Sequence, residues 1–255
     1  MRAASRARRP AALLIALATL AGTSLPESAA GAPERDGKHE PLAVRGPTPT
    51  SAWTAKLVYP TVARAAPRSG ARVTARVGTV AAWDGGPVAL LVLAEHRGRD
   101  GRLWLRVRLP DRPNGRSGWI DADFARLRQS PWRIEIDRDR RRATAYRAGH
   151  RVRSWRIVIG KSSTPTPRGL FAVYERVRQP AGSVLGPFAL QLTAHFNTLR
   201  NYGGGPGRVA MHGRSGSLLS DPLGSARSHG CIRMQNRIVR WLAPRALPGT
   251  PVEVR

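Results

Sequence analysis

One cysteine stands near two histidines in the last quarter of this 255-residue chain. After His212-Gly213 come ten residues, Gly224, three more residues, and then the run Ser228-His229-Gly230-Cys231-Ile232-Arg233-Met234. A thiol beside an imidazole can attack a carbonyl carbon, because the imidazole takes the thiol proton and later gives it to the leaving group. Backbone N–H groups near the thiol can stabilise the oxyanion that forms. The cluster therefore predicts acyl-transfer chemistry.

Two other roles for the cysteine stay open on the residues alone. A free cysteine is often an inert, buried residue. The thiol could also bind zinc together with His212 and His229, although a fourth ligand is not evident and the spacing is not that of a usual zinc motif. His229 could also serve mainly to shape the loop. A single cysteine cannot form an internal disulfide, which leaves chance burial, intermolecular pairing or a reactive thiol. The local sequence around Cys231 favours the reactive thiol.

The run from His212 to Met234 resembles the active-site motif of YkuD-type L,D-transpeptidases, and no element of that motif is missing. Two upstream segments, residues 164–169 and 186–190, also resemble segments of that family. The resemblance implies a catalytic domain over residues 131–255. It also implies that peptidoglycan stem peptides are the substrates and that no metal or organic cofactor is needed.

Each catalytic role follows from that resemblance. Cys231 is the expected nucleophile, and His212 is expected to carry its proton. The carbonyl of Gly213 is expected to hold the imidazole, in place of the carboxylate of a serine-protease triad. The backbone N–H groups of His229, Gly230 and Cys231 are the expected oxyanion hole.

The resemblance also implies a reaction. Ser228 and Arg233 are expected to bind substrate, and Arg233 could pair with a carboxylate or support the oxyanion. Cys231 would attack the carbonyl of the third stem residue, expel D-alanine and pass the acyl group to an amine of another stem, giving a 3→3 cross-link. Carbapenems would acylate the same thiol slowly. Two alternatives are an L,D-carboxypeptidase, with water as acceptor at this site, and a non-catalytic cell-wall-binding protein.

The elements around the motif are predicted to be mainly strands. Apolar and polar residues alternate over residues 132–136 and 155–159, and this period of two indicates strands with one buried face. A helix is predicted at residues 236–242, with Asn236 as its N-cap and Pro244 after its end. We therefore expect a mainly β, sandwich-like catalytic domain with one or two short helices.

A second β domain is predicted over residues 53–128. Residues 103–109 alternate between apolar and polar, Asn114-Gly115 is a strong hairpin signal, and Gly118-Trp119 begins the return strand. This hairpin resembles bacterial SH3-like modules, which bind wall peptides or pack beside a catalytic domain. The resemblance implies an SH3-like small β-barrel ahead of the catalytic domain.

The first 52 residues are predicted to be a leader and a linker. Four arginines precede the apolar run at residues 11–21, which is the layout of a secretory signal peptide, with cleavage after Ala30. The run is shorter than the roughly 20 residues that span a bilayer, although an uncleaved anchor stays open. Residues 31–52, rich in Gly, Pro and Thr, are the predicted linker. We therefore expect a secreted protein of the cell wall or periplasmic space, with no stable membrane span after cleavage.

The formal net charge is +27, from 43 basic and 16 acidic residues. Such a charge favours polyanionic surroundings. No helix-turn-helix, zinc-finger or RNA-binding motif is present in the sequence, so nucleic acid is not an expected partner. Acidic wall polymers are the expected contact, and a solvated basic surface without a specific partner is the alternative.

Overall fold

A computed structural model of the chain describes residues 43–201 and 204–255. The predicted signal peptide and residues 31–42 of the predicted linker lie outside these ranges. Within the ranges described, no helix is both long and apolar enough to cross a membrane. The fold is mainly β, as the strand patterns predict.

The N-terminal sheet contains seven strands: β1 (Ala52–Leu57), β2 (Thr61–Arg64), β3 (Val73–Val77), β4 (Ala89–Arg97), β5 (Leu103–Arg108), β6 (Ser117–Asp121) and β7 (Ala125–Ser130). Their order in the sheet is β3-β2-β6-β5-β4-β1-β7, and all neighbours run antiparallel. A short 3-10 helix, Ala122–Phe124, connects β6 to β7. We use the name N-terminal sheet for these strands and their connections.

The predicted hairpin is confirmed as β5, a turn and β6. Leu105 and Val107 are fully buried in the core of the N-terminal sheet, whereas Arg106 between them is exposed. Trp104, on the same face as Arg106, is also buried. The turn at Asn114-Gly115 has a glycine φ of +82°, a backbone conformation that favours glycine. The likeness of the whole sheet to an SH3-like barrel stays a prediction.

The second large sheet contains eight strands: β8 (Trp132–Asp137), β9 (Arg142–Arg147), β10 (His150–Arg156), β12 (Gly169–Arg178), β13 (Phe188–His195), β14 (Arg208–His212), β16 (Ile232–Arg233) and β17 (Pro251–Val254). Their order is β10-β9-β8-β17-β12-β13-β14-β16, with β17–β8 and β14–β16 parallel. A further parallel pair joins β11 (Ile159–Gly160) to β15 (Ala226–Ser228). A 3-10 helix, Gly216–Ser220, follows β14.

The helix α1 (Asn236–Leu242) has the predicted bounds. It packs on the second sheet through its buried side chains, Ile238, Val239 and Leu242. The N-cap is Gln235, so the prediction that Asn236 caps the helix is wrong by one residue. The Asn236 side chain does not cap the helix because it bonds to the chain that follows β14.

The buried apolar side chains form two main cores. One lies within the N-terminal sheet, and the other lies between the second sheet and α1. The chain passes from one core to the other near residue 130, where the predicted domain boundary lies; the boundary itself stays a prediction. Direct contacts join the two parts, for example the Trp83 N–H donating to Glu175 Oε1 at 2.6 Å.

Candidate active site

Strands β14 and β16 bring the predicted histidine and cysteine onto neighbouring strands. Met211 pairs with Ile232 and His212 with Arg233, and Cys231 directly precedes β16. Met211 and Ile232 are fully buried in the core. Successive side chains of a strand point to opposite faces, so His212 and Arg233 lie on the face opposite Met211 and Ile232. Cys231, just before β16, packs against that core. In this register Cys231 lies opposite Ala210, whose backbone forms a hydrogen bond to its sulfur, two residues before His212.

The Cys231 thiol is half-buried and free. Burial raises its pKa from an ordinary value of 9.0 to about 11, because a thiolate loses hydration there. A hydrogen bond from the backbone of Ala210 and the positive charge of Arg233 lower the pKa, but they do not outweigh burial. At neutral pH the side chain is therefore a thiol and not a thiolate.

The His212 imidazole is buried and held by its own neighbour in the chain. Its Nδ1–H donates to the carbonyl of Gly213 at 2.6 Å. Since a carbonyl can only accept, this bond fixes the proton of the neutral ring on Nδ1 and leaves Nε2 as a proton acceptor. Burial lowers the pKa of His212 to about 4, and the carbonyls of Gly213 and Leu185 only partly oppose this. The ring is neutral at neutral pH.

At neutral pH the Cys231 thiol and the His212 imidazole are thus both uncharged. A neighbouring imidazole can raise the thiolate fraction of a cysteine. The structure instead moves the pKa of Cys231 up and that of His212 down, because both groups are shielded from water.

The first residues of α1 brace the turn after His212. Asn236 Oδ1 accepts from the Arg214 N–H at 2.9 Å, and Asn236 Nδ2 donates to Ser215 Oγ at 3.2 Å. Position 213 has no room for a larger residue, because a Cβ there would lie 2.2 Å from Asn236 Oδ1. The Asn236 side chain therefore fixes the carbonyl that orients the imidazole, a positioning role that the sequence alone did not reveal.

The loop before Cys231 is held by the hydroxyl of Ser228. This hydroxyl donates to the Cys231 carbonyl at 2.6 Å and accepts from the Gly230 N–H at 3.0 Å. Ser228 is fully buried, and its hydroxyl shapes the loop. Its contact with substrate stays a prediction. The Gly230 N–H is already bonded to Ser228, and an oxyanion would have to compete with that hydroxyl for it.

Two threonines from the segment after β11 brace the same loop. Thr166 is fully buried, and its Oγ1 donates to the Gly230 carbonyl at 2.8 Å while accepting from the Gly160 N–H at 3.0 Å. Thr164 Oγ1 donates to the Ser228 carbonyl at 3.3 Å. Both residues lie in the upstream segment that resembles the transpeptidase family, which was the one sequence signal for them.

Comparison with known proteins bears on the same half of the chain. The L,D-transpeptidase catalytic domain of the YkuD family matches residues 131–254. This part of the chain belongs to that family. The match includes every residue of the site described above.

Two curated relatives of this transpeptidase domain support the assignment. The L,D-transpeptidase YkuD of Bacillus licheniformis is 33% identical over 124 residues, which are 49% of this chain and 66% of the relative. The Bacillus subtilis protein of the same name is 33% identical over 103 residues, 40% of this chain and 53% of the relative. This chain therefore spans less than two thirds of the curated relatives that it matches. A solved L,D-transpeptidase fragment from Xylanimonas cellulosilytica is 28% identical, with 49% of this chain and 61% of that chain covered and a TM-score of 0.36.

Arg233 of the transpeptidase domain is buried and already paired. Its guanidinium forms an ion pair with Asp221, whose backbone carbonyl also accepts from Arg214. Arg233 Nε is buried and has no hydrogen-bond partner. A substrate carboxylate that binds Arg233, as expected from the resemblance, would have to share the guanidinium with Asp221. The sequence did not single out Asp221, because the motif leaves the ten residues after Gly213 unspecified.

His229 differs from His212 in its burial. Its side chain is exposed, in contrast to that of His212. Across residues 43–201 and 204–255, no group of three or more His, Cys, Asp or Glu side chains is arranged to hold a metal ion.

We predict that Thr166→Val lowers the free energy of unfolding of the transpeptidase domain. The methyl group fills the same space, but the Gly160 N–H and the Gly230 carbonyl lose a buried partner, which costs about 1–3 kcal/mol. Urea denaturation of both proteins measures the difference. Thr144→Val, which removes a half-buried threonine bonded to Ser154 on β10, is the control and should cost less. An equal effect of the two substitutions would contradict the bracing role of Thr166.

Acid should destabilise the folded protein before its carboxylates titrate. His212 and His195 have ordinary pKa values of 6.5 that burial lowers to about 4. The unfolded chain then binds protons that the native state does not, so the free energy of unfolding falls as pH drops from about 6.5 to about 4. Burial raises the pKa of Glu175, which acts in the opposite direction. Urea denaturation between pH 7 and pH 5 tests this, and His212→Gln with His195→Gln should remove most of the slope; an unchanged slope would refute the assignment.

Proposed function

We propose that this protein is an exported peptidoglycan L,D-transpeptidase with Cys231 as its nucleophile and His212 as its general base and acid. The observation that supports this most is the neighbouring-strand placement of the two side chains, with the Nδ1 of His212 held by the Gly213 carbonyl. Family membership of residues 131–254 and the names of the relatives support the reaction class.

In the first half-reaction, His212 Nε2 takes the thiol proton while Sγ attacks the carbonyl carbon of the third stem residue. The tetrahedral intermediate collapses when the C–N bond to the terminal D-alanine breaks, and His212 gives its proton to the departing amine. The product is a thioester on Cys231. In the second half-reaction, an amine of another stem attacks the thioester, its proton passes through His212 to sulfur, and a 3→3 cross-link leaves.

The neutral resting pair suits this sequence of steps. With the pKa of His212 near 4, the ring is ready to accept a proton over the whole neutral range. An imidazolium formed during attack then stands in a water-poor site, where it readily gives the proton to the leaving amine. A thiol with a raised pKa also resists oxidation, since the thiolate is the reactive form.

The oxyanion would be stabilised by backbone N–H groups of the loop from His229 to Cys231. Gly230 has a φ of +121°, which favours glycine and turns the loop sharply just before the nucleophile. The Gly230 N–H already donates to Ser228 Oγ. We therefore assign most of the stabilisation of the oxyanion to the other N–H groups of the loop. Arg233, whose charge lowers the pKa of Cys231, supplies positive charge near the developing oxyanion.

The substrate and the surroundings follow from the family and the charge. Peptidoglycan stem peptides are the proposed donor and acceptor. The predicted signal peptide supports a location outside the cytoplasmic membrane, and the net charge of +27 favours contact with acidic wall polymers. The N-terminal sheet, with its proposed SH3-like character, stands beside the catalytic domain.

Incubation of the purified protein with disaccharide-tetrapeptides, followed by mass analysis of the products, tests the proposal. Dimers with a 3→3 link support transpeptidation. Tripeptides without dimers would mean that water is the acceptor and that the protein is a carboxypeptidase. Unchanged tetrapeptides, together with tight binding to isolated cell walls, would favour a non-catalytic wall-binding protein. A carbapenem adduct on Cys231, seen by intact mass, is a further expected result.

A further inference from the structure

The turn between β5 and β6 of the N-terminal sheet reaches the chain at the end of β13. Asn114 Nδ2 donates to the His195 carbonyl, and the His195 N–H donates to Asn114 Oδ1, each at 2.7 Å. Asn114 Nδ2 also donates to Asn197 Oδ1 at 3.0 Å. One side-chain amide thereby satisfies both backbone groups of His195, as a paired strand would. Such a reciprocal pair fixes the backbone position of His195.

Arg112, from the same turn, donates hydrogen bonds to three backbone carbonyls that follow His195 in the sequence. Its Nη1 donates to the Phe196 carbonyl at 2.8 Å, and its Nη2 donates to the carbonyls of Leu199 and Pro206 at 3.0 and 3.2 Å. A planar guanidinium holds these three acceptors in a fixed arrangement. A hydrogen bond also runs in the opposite direction, from Arg208 at the start of β14 to the Pro110 carbonyl, at 3.0 Å.

Phe196 connects this turn to the nucleophile loop. Its side chain is buried, and its N–H donates to the Gly207 carbonyl at 2.8 Å. The ring packs directly on Gly230: a Cβ there would lie 2.5 Å from Phe196 Cδ1 and 2.7 Å from Cε1. Gly230 is the residue before Cys231. A displacement of the Phe196 backbone would therefore move the surface against which the nucleophile loop rests.

We propose that Arg112 and Asn114 are positioning residues for Cys231, acting through Phe196 and Gly230. The N-terminal sheet then forms part of the catalytic unit, because its β5–β6 turn sets the position of the wall beside the thiol. This inference rests on the proposed function for its activity readout. Its second readout, the alkylation rate of the Cys231 thiol, does not depend on the proposed function. This rate can be measured directly because Cys231 is the only cysteine of the sequence.

The test compares Arg112→Ala and Asn114→Ala with Arg106→Ala in the full chain. Arg106 is an exposed arginine of β5 whose Nε donates to Ser117 within the same sheet, so its loss matches the change in charge without touching residues 195–200. We expect kcat for cross-linking to fall roughly 10- to 100-fold in the first two variants, with little change in KM, because small displacements near a reacting group have effects of this size. Arg106→Ala should stay close to the wild type.

The second readout is alkylation of Cys231 by iodoacetamide, followed by intact mass well below the unfolding temperature. A loosened loop should raise the alkylation rate at least about threefold in Arg112→Ala and Asn114→Ala, and not in Arg106→Ala. Arg112→Lys keeps the charge but cannot span three carbonyls, so it should behave like Arg112→Ala. If Arg112→Ala does not fold, Arg112→Lys and Asn114→Ala carry the test.

A double-mutant cycle with Phe196→Leu tests whether Arg112 acts on Cys231 through Phe196. If Arg112 acts through Phe196, the effect of Arg112→Ala on alkylation should be much smaller in the Phe196→Leu background. Full additivity would overturn the route, and alkylation and kcat equal to those of Arg106→Ala would overturn the inference. If the wild type forms no cross-link, the proposed function fails while the alkylation comparison still decides the role of Arg112 and Asn114.

Discussion

Replacing Cys231 by alanine is expected to lower the rate of cross-link formation by at least about 10⁴-fold, because no other side chain of the site can form the acyl intermediate. The chain has no second cysteine that could substitute. The measurement is product formation from disaccharide-tetrapeptides at saturating substrate. The same variant should show no carbapenem adduct by intact mass.

The fold should survive this change. Cys231 is only half-buried, so its truncation leaves no large internal cavity, and the unfolding temperature should stay within a few degrees of the wild type. Cys231→Ser is the matched control, since it keeps the shape of the side chain but offers a much weaker nucleophile. Both variants should be folded and inactive. Activity above about one tenth of the wild type in either folded variant would show that the thiol is not the nucleophile.

His212→Gln is expected to lower kcat by about 10²- to 10⁴-fold, the range for loss of a general base. The amide can take the place of the ring within the buried turn but cannot accept the thiol proton. In the wild type, kcat/KM should rise as pH increases through about 4, where His212 loses its proton, and then stay level towards the alkaline range, because the pKa of Cys231 is about 11. The pH–rate profile from pH 4 to pH 9 tests both statements.

His150→Gln provides the control for that experiment, because His150 is an exposed histidine of β10 in the same sheet. It should keep the activity and the pH profile of the wild type. A wild-type profile that rises steeply only near pH 7 would contradict the neutral resting pair. It would indicate instead that His212 is charged in the free protein at lower pH.

The site motif could be predicted from the sequence because its residues are close along the chain. The resemblance to the YkuD-type motif implied the roles of His212 and Cys231, whereas the pairing of the two strands that carry this motif came from the fold. The helix at residues 236–242 followed from its apolar spacing and from the proline beyond it. The helix depends on local periodicity, which a sequence displays directly.

The residues that support the site could not be predicted in this way. Asn114 meets His195 across 81 positions of sequence, and Thr166 meets Gly230 across 64. No local pattern encodes such contacts, because they depend on how two sheets and a loop pack together. Asn236 shows the same limit within one element: its position favours an N-cap, but tertiary contacts with Arg214 and Ser215 use its side chain instead.

The protonation states also depended on the fold. A cysteine and a histidine near each other in sequence indicate an ion pair as readily as a neutral pair. Burial decides between them, since it disfavours the charged form of both groups. The turn that presents the Gly213 carbonyl then selects which nitrogen of His212 carries the proton.

The most direct test of the account is a search for the acyl intermediate itself. The wild-type protein is mixed with a disaccharide-tetrapeptide without acceptor, quenched in acid within seconds, and examined by intact mass and peptide mapping. We predict a thioester adduct that carries the stem up to its third residue, located on Cys231 and absent from Cys231→Ser. Release of D-alanine without any adduct on Cys231, or an adduct on another residue, would contradict the account.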